Sequence, residues 1–464
     1  MMNLNVDCLS LIFNELQTDK NHLHSCLLVN RKWCHLVVPI LWKKHPWYEE
    51  NKKLFNTLFS CLPKQLLIDN DIRLPSTILS KPSFNYISFC KYLKTENISE
   101  IIRTIFAEQS SVGKYNKRNL LEQEICKLFI RQCKNIRELS WQTSQPLSLF
   151  QGASTCFSQL HSLSINIDLI NSDALYKMAQ ICKNLNILTI RYFSYDNPGL
   201  ISIINAQKNL KSISLYCSVK RGSVCKELNK VLAKKGNTIS IFTLRSVNII
   251  PPSFLTSLIN LKILTIFNDY DNEEDDNEDT RDKIKEFQQY LAISEFPELQ
   301  ILRVNGLSCF KELSMLVEKT KGNILRINIY TYNQYSENTE MLIKAIASNC
   351  PNIEQLSTYI EPKDFIYVQS LLLNCRNLMY LGLNSLNSLD FLDENDYIGD
   401  ELLDILTKFS PKSLTDVIIS KDWKYSVDAF GRFFKSCTKN NLFNFGINNN
   451  DYITEVIRES KLYT

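Results

Sequence analysis

With 464 residues, 44% of them hydrophobic and 22% charged, the chain has ordinary globular composition and apolar material for two to four domains. A net charge of only +4 supplies no concentrated basic face, so no nucleic-acid partner is expected. Asp7 and Glu15 interrupt the N-terminal apolar residues and no run of about 18 apolar residues follows, so neither a secretory leader nor a membrane span is expected, and the cytoplasm or nucleus is the expected compartment. The 15 cysteines are odd in number, contain no C-x-x-C pair and are expected to stay reduced. Four of the five histidines, His22, His24, His35 and His45, lie near the N-terminus without any Cys/His cluster at zinc spacing, so no metal and no other cofactor is expected.

The first predicted elements occupy residues 4–42. Leu9, Ile12, Phe13 and Leu16 share one face of a helix that Asn5 is placed to cap, and Asp7 suits its positive first turn. Thr18 to Asn21 breaks the pattern, and a second helix carries Leu23, Cys26 and Leu27. After Val29, Asn30 is placed to cap a third helix that presents Trp33, Leu36 and Val37 and is predicted to end at Pro39. About forty residues is near the lower limit for an independent domain, and this one spends large apolar side chains on more faces than one small core covers. The surplus predicts a partner.

Leu4, Leu9, Ile12, Phe13, Val29, Trp33, Leu41 and Trp42 together resemble the F-box, the helical module through which substrate receptors dock on the Skp adaptor of a cullin-based ubiquitin ligase. Asn5 stands where that family usually has Pro, and it serves a helix start by capping where Pro serves by its pre-set φ. The resemblance implies that residues 1–45 are an F-box, that Leu4, Asn5, Leu9, Ile12, Phe13, Leu16, Val29 and Trp33 meet the Skp adaptor, and that a cullin is reached through it.

Residues 46–132 carry no repeat, but segments such as FNYISFCKYL, ISEIIRTIFAE and LLEQEICKLFIRQC space their apolar residues at three and four. They predict a helical connector, broken at Pro63, Pro75, Pro82 and around Gly113, that holds the N-terminal module rigidly where a Gly/Ser linker would let it swing. Ala107 to Lys117 is the expected loop.

From residue 133 to 464 a phrase close to Asn-Leu-x-x-Leu-x-Ile recurs twelve times, from Ile136, Leu139 and Trp141 to Leu442, Phe445 and Ile447. Most first anchors lie 22 to 29 residues apart, with gaps of 38 and 36 as exceptions. The alternation predicts a short strand in each copy. Intervening segments such as SDALYKMAQIC and FIYVQSLLLNC predict a helix behind each strand. Cys133, Cys182, Cys350 and Cys375 stand three residues before a first anchor, with Cys437 close to the same place. This pattern resembles the cysteine-containing leucine-rich repeats, which implies an α/β chain whose C-terminal part is a right-handed β-α solenoid, a horseshoe of about twelve repeats.

One insertion, residues 268–282, holds nine acidic residues against Arg281 and is expected to be a solvated loop that binds no calcium, because Gly and Glu are missing from the loop positions an EF-hand needs. With 11 glycines and no P-loop, dinucleotide, zinc-protease or serine-hydrolase motif, the chain is expected not to be an enzyme. The two resemblances imply a substrate-recognition subunit of a Skp-cullin-F-box ubiquitin ligase, with an unknown protein target on the concave face. The alternative is a repeat scaffold that binds a protein without ubiquitylation. Strand alternation turns the residues between anchors onto that face, and Arg191, Tyr216, Arg245, Phe267, Arg303, Tyr330 and Tyr359 are the expected target contacts.

Overall fold

Buried leucine and isoleucine anchors define the strands of this chain, as the recurring phrase predicts. The computed structural model describes residues 5–43, 57–69, 82–106, 114–217, 224–268, 278–331, 337–386, 397–437 and 444–448. They contain thirteen short strands with helices between them, an α/β arrangement divided into two compact units. One unit comprises Met1–Phe193 and Asn197–Leu210, and the other Ser194–Asp196 and Lys211–Thr464. This division falls among the repeats, where the sequence suggested boundaries at 45 and 132.

The first unit opens with three helices, α1 (Val6–Glu15), α2 (Lys20–Leu27) and α3 (Arg31–Lys43). Asn5 occupies the cap position of α1 without making a side-chain capping bond, and only its carbonyl accepts from the Leu9 N–H, at 3.0 Å. Asp19 caps α2 by accepting from the His22 N–H, so this helix starts inside the stretch expected to break the pattern. Asn30 does cap, accepting from the Trp33 N–H at 2.9 Å. Pro39 does not end α3 but lies within it. A proline forfeits one intrahelical bond, and here the packing of Val37 and Val38, both buried, continues the helix past that loss.

After α4 (Lys64–Asp69) the chain forms a strand, β1 (Tyr92–Lys94), inside the segment expected to be a purely helical connector. Only Leu93 of β1 is buried, so a three-residue strand with one anchor left no phrase to recognise. Helices α5 (Thr95–Ile105) and α6 (Lys114–Gln132) follow, so residues 114–117 of the expected loop are helical and 107–113 lie outside the described residues. Strands β2 (Glu138–Trp141), β3 (Ser162–Asn166) and β4 (Ile187–Arg191) complete a parallel set with β1, with Leu93, Leu139, Leu163 and Leu188 in register.

The second unit holds nine parallel strands: β5 (Ser212–Tyr216), β6 (Ile241–Arg245), β7 (Ile263–Phe267), β8 (Ile301–Asn305), β9 (Arg326–Tyr330), β10 (Gln355–Tyr359), β11 (Tyr380–Asn384), β12 (Asp416–Ser420) and β13 (Asn444–Asn448). Neighbours follow chain order, and Ile213, Phe242, Leu264, Leu302, Ile327, Leu356, Leu381, Val417 and Phe445 form one register row. The shortest repeat, between β6 and β7, departs from the expected strand-helix unit. Pro251 and Pro252 open a 3₁₀ turn, Pro252–Ser257, where an α-helix was expected.

The recurring Asn and Cys have structural work to do. Asn260, Asn323 and Asn352 donate from Nδ2 to carbonyls of the preceding repeat, those of Asn237, Pro297 and Gly322, at 2.8, 3.1 and 3.2 Å. The Cys133, Cys182 and Cys375 thiols donate to the carbonyls of Ile87, Phe157 and Cys350, while their N–H groups close the preceding helix. These six phrases therefore tie their repeat to the chain before it. The side chain of Cys437 lies outside the described residues.

Candidate functional site

The residues singled out in the sequence fall on the N-terminal helices, α1 to α3, and on the outward sheet face of each unit. Leu9 and Phe13 are 4% and 1% exposed and form a core with Leu23 and Val37, around which Leu16, Cys26, Leu27 and Trp33 pack. Trp33 meets Phe13 edge to face, with centroids 5.0 Å apart. Leu9 and Phe13 are therefore not available to a partner, since the stripe that repeats at i and i+4 turned inward to hold the three helices together. Asn5 is exposed, Leu16 is half-buried and Leu4 lies outside the described residues.

Ile12 and Val29 remain outward, 45% and 56% exposed. Two residues the sequence reading missed are exposed as well, Leu11 at 69% and Leu28 at 89%. The signal was present, because both lie off the stripe that the core consumes. Helix α3 anchors this surface within its unit: Trp42 packs on Tyr86 with centroids 4.5 Å apart, His35 packs on Phe84, and the Lys43 carbonyl accepts from the Lys91 N–H at 3.1 Å. Lys91 in turn accepts from the Arg137 N–H at 2.8 Å, at the start of β2.

The remaining residues lie on the sheet face that the anchors leave outward in each unit. In the first unit it presents exposed Arg191 at the end of β4. In the second unit Arg245 is exposed, and Tyr216, Phe267 and Arg303 are half-buried. Tyr330 and Tyr359, expected on the same face, are buried instead. Their rings lie 6.2 Å apart, Tyr359 meets Phe310 edge to face, and its hydroxyl donates to the Thr331 carbonyl at 3.3 Å. Alternation sets the direction of Cα–Cβ only. At a strand end a long aromatic side chain folds back to bury its ring and satisfy its hydroxyl.

The sequence reading also passed over an aliphatic row on this face, half-buried Ile241, Ile263 and Ile301, which are register partners on β6, β7 and β8. It passed over exposed Arg326 as well, the register partner of Ile301. Both were legible at the position before the middle anchor, which alternation also turns outward.

Among the described residues no group of three or more His, Cys, Asp or Glu could hold a metal ion, and no helix is long and apolar enough to cross a membrane. Burial pushes the thiols of Cys156, Cys182, Cys225 and Cys350 up to about 12 and that of Cys375 up to about 11, so these cysteines are protonated and poorly nucleophilic near neutrality.

No family model and no curated protein matches this chain. Among solved structures it is similar to a chain in the crystal structure of the Rad7 and Elc1 complex in yeast, at 15% identity and a TM-score of 0.36, over 73% of this chain and 86% of that one.

Proposed function

We propose that this chain is a non-catalytic substrate-recognition subunit of a Skp-cullin-F-box ubiquitin ligase. Helices α1 to α3 are its F-box and dock on the Skp adaptor, and a leucine-rich-repeat solenoid presents its outward sheet face to the target. The observation that carries this reading is the apolar surplus on so small a module, where Leu11, Ile12, Leu28 and Val29 stay in water although the core of Leu9, Phe13, Leu23 and Val37 is complete. Large apolar side chains left exposed on so small a module suit a protein interface. The F-box resemblance says which interface, and the packing of α3 on Phe84 and Tyr86 suits a module that must hold a fixed attitude. The mechanism is proximity: a target held on one face and a ligase held on another raise the effective concentration of target lysines near the charged enzyme.

Co-purification with recombinant Skp adaptor and cullin, followed by ubiquitin transfer, tests the proposal. Ile12→Asp with Val29→Asp places charge in the docking surface without touching the core, and burying an unpaired charge costs several kcal/mol. The adaptor is expected to be lost while the variant keeps the parent's melting temperature. Retention of the adaptor by the folded variant removes the F-box reading. Binding of the adaptor without cullin or ubiquitin transfer leaves a scaffold in its place.

A further inference from the structure

We infer that residues 28–32, between α2 and α3, form a mixed apolar and cationic contact, and that the protein surface they meet sets carboxylates beside an apolar groove. This rests on the reading of α1 to α3 as the adaptor-docking module, and adds the charge that the adaptor presents there.

All five residues of the stretch are exposed, Leu28 at 89% and Val29 at 56%. Two local rules are broken within it. Connections between helices are ordinarily polar, yet this one places Leu28 and Val29 in water. A helix start favours acids, because its free N–H groups carry partial positive charge, yet α3 has no acid in its first turn and opens with Arg31 and Lys32. Asn30 serves the fold by capping α3 through the Trp33 N–H.

Nothing within the module offsets these choices. The core of Leu9, Phe13, Leu23 and Val37, with the side chains packed around it, is complete without Leu28 or Val29. Residues 5–43 are described without a break and hold three acids, Asp7, Glu15 and Asp19. Asp7 lies in the first turn of α1, Glu15 ends that helix and Asp19 pairs with His22. Among the described residues none of them pairs with Arg31 or Lys32. Positions that break local preference with no return to the fold are where function is expected.

The order along the chain sets the chemistry of the partner. Val29 and Lys32 are three residues apart, at most about 10 Å of chain, so a groove that takes Leu28 and Val29 meets both cations at its edge. A guanidinium holds a carboxylate through two parallel hydrogen bonds, and an ammonium holds one as a point charge. A basic groove edge would instead be repelled by both.

The test measures binding of recombinant Skp adaptor to the full chain by surface plasmon resonance, at salt from about 50 to about 500 mM. Parent affinity is expected to fall as salt rises. Arg31→Glu with Lys32→Glu is expected to weaken binding by about tenfold or more, mainly through slower association. Arg31→Gln with Lys32→Gln should fall between. The Glu variant should melt at the parent's temperature or above it, because acids suit a helix start. A lower melting temperature would give the two cations a structural role and overturn the inference. Undiminished binding by the Glu variant, or parent affinity indifferent to salt, overturns it as well. The docking reading is decided separately by Ile12→Asp with Val29→Asp. Loss of the adaptor by that variant but not by the Glu variant keeps the docking module and discards its charge, whereas an adaptor that the parent itself does not bind ends both.

Discussion

At the scale of single residues, Gly306 shows how tightly successive repeats are set against each other. It follows β8 with φ of +75°, and a Cβ there would stand 1.8 Å from the carbonyl oxygen of Asn268. That Asn268 is itself buried, its N–H donating to the Asn305 carbonyl at 2.8 Å and its side chain to the Gly306 carbonyl at 3.2 Å. Gly306→Ala thus imposes both a left-handed penalty and a backbone clash, and is expected to cost about 2 kcal/mol or more in a denaturant titration. A loss within a few tenths would mean the two turns are free to separate. The thiols make a second case. Cys8 is exposed while ten cysteines from Cys90 to Cys375 are buried. A bulky thiol reagent should modify Cys8 first in the native protein and reach the buried set only on unfolding.

At the scale of elements, the acidic insertion divides in two. Residues 269–277 lie outside the described residues, but Glu278 and Asp279 form the first turn of the helix Glu278–Ile293, where Asp279 pairs with Lys283 at 2.6 Å. An all-loop reading of 268–282 missed this because a run of acids has no apolar period, although acids are what a helix start favours. Replacing Asp271 to Asn277 by Gly and Ser of equal length should leave the melting temperature nearly unchanged, since that composition offers nothing apolar to bury. Asp279→Lys, by contrast, should cost about 0.3–1 kcal/mol by opposing the helix dipole. A large drop from the first change would show that the segment's charge supports the fold.

At the scale of the whole molecule, burial of so many thiols sets a direction for stability against pH. Cys156, Cys182, Cys225 and Cys350 ionise at about 12 in the folded chain against an ordinary 9.0. Between those values the unfolded chain has released protons that the folded chain still holds, so stability is complete below pH 9.0 and falls as pH rises toward about 12. Melting temperatures across that range should decline more steeply in the parent than in Cys182→Ala with Cys350→Ala, where two of these groups are gone. Parallel slopes would assign the alkaline loss to lysines and tyrosines alone. The same variant should melt lower at neutral pH, as each substitution leaves a cavity and Cys182→Ala also removes the thiol's bond to Phe157.

The sequence by itself determined the repeat. Local alternation and a recurring Asn-Leu phrase carry enough information for the strands, because each anchor is buried by its own repeat and its neighbours, and a stapling Asn or Cys marks many of the copies. The three N-terminal helices and the cap at Asn30 were legible for the same reason, being contacts within a few residues. Tertiary structure decided the rest. Leu9 and Ile12 sit three residues apart on one amphipathic helix, and only the packing of α2 and α3 makes the first core and the second surface. Tyr330 and Tyr359 obey the alternation at Cα yet turn their rings away from solvent, because a neighbouring strand end offers each a ring to pack on and Tyr359 a carbonyl to bond. β1 has one anchor and no phrase, and becomes a strand only because β2 offers it a parallel edge.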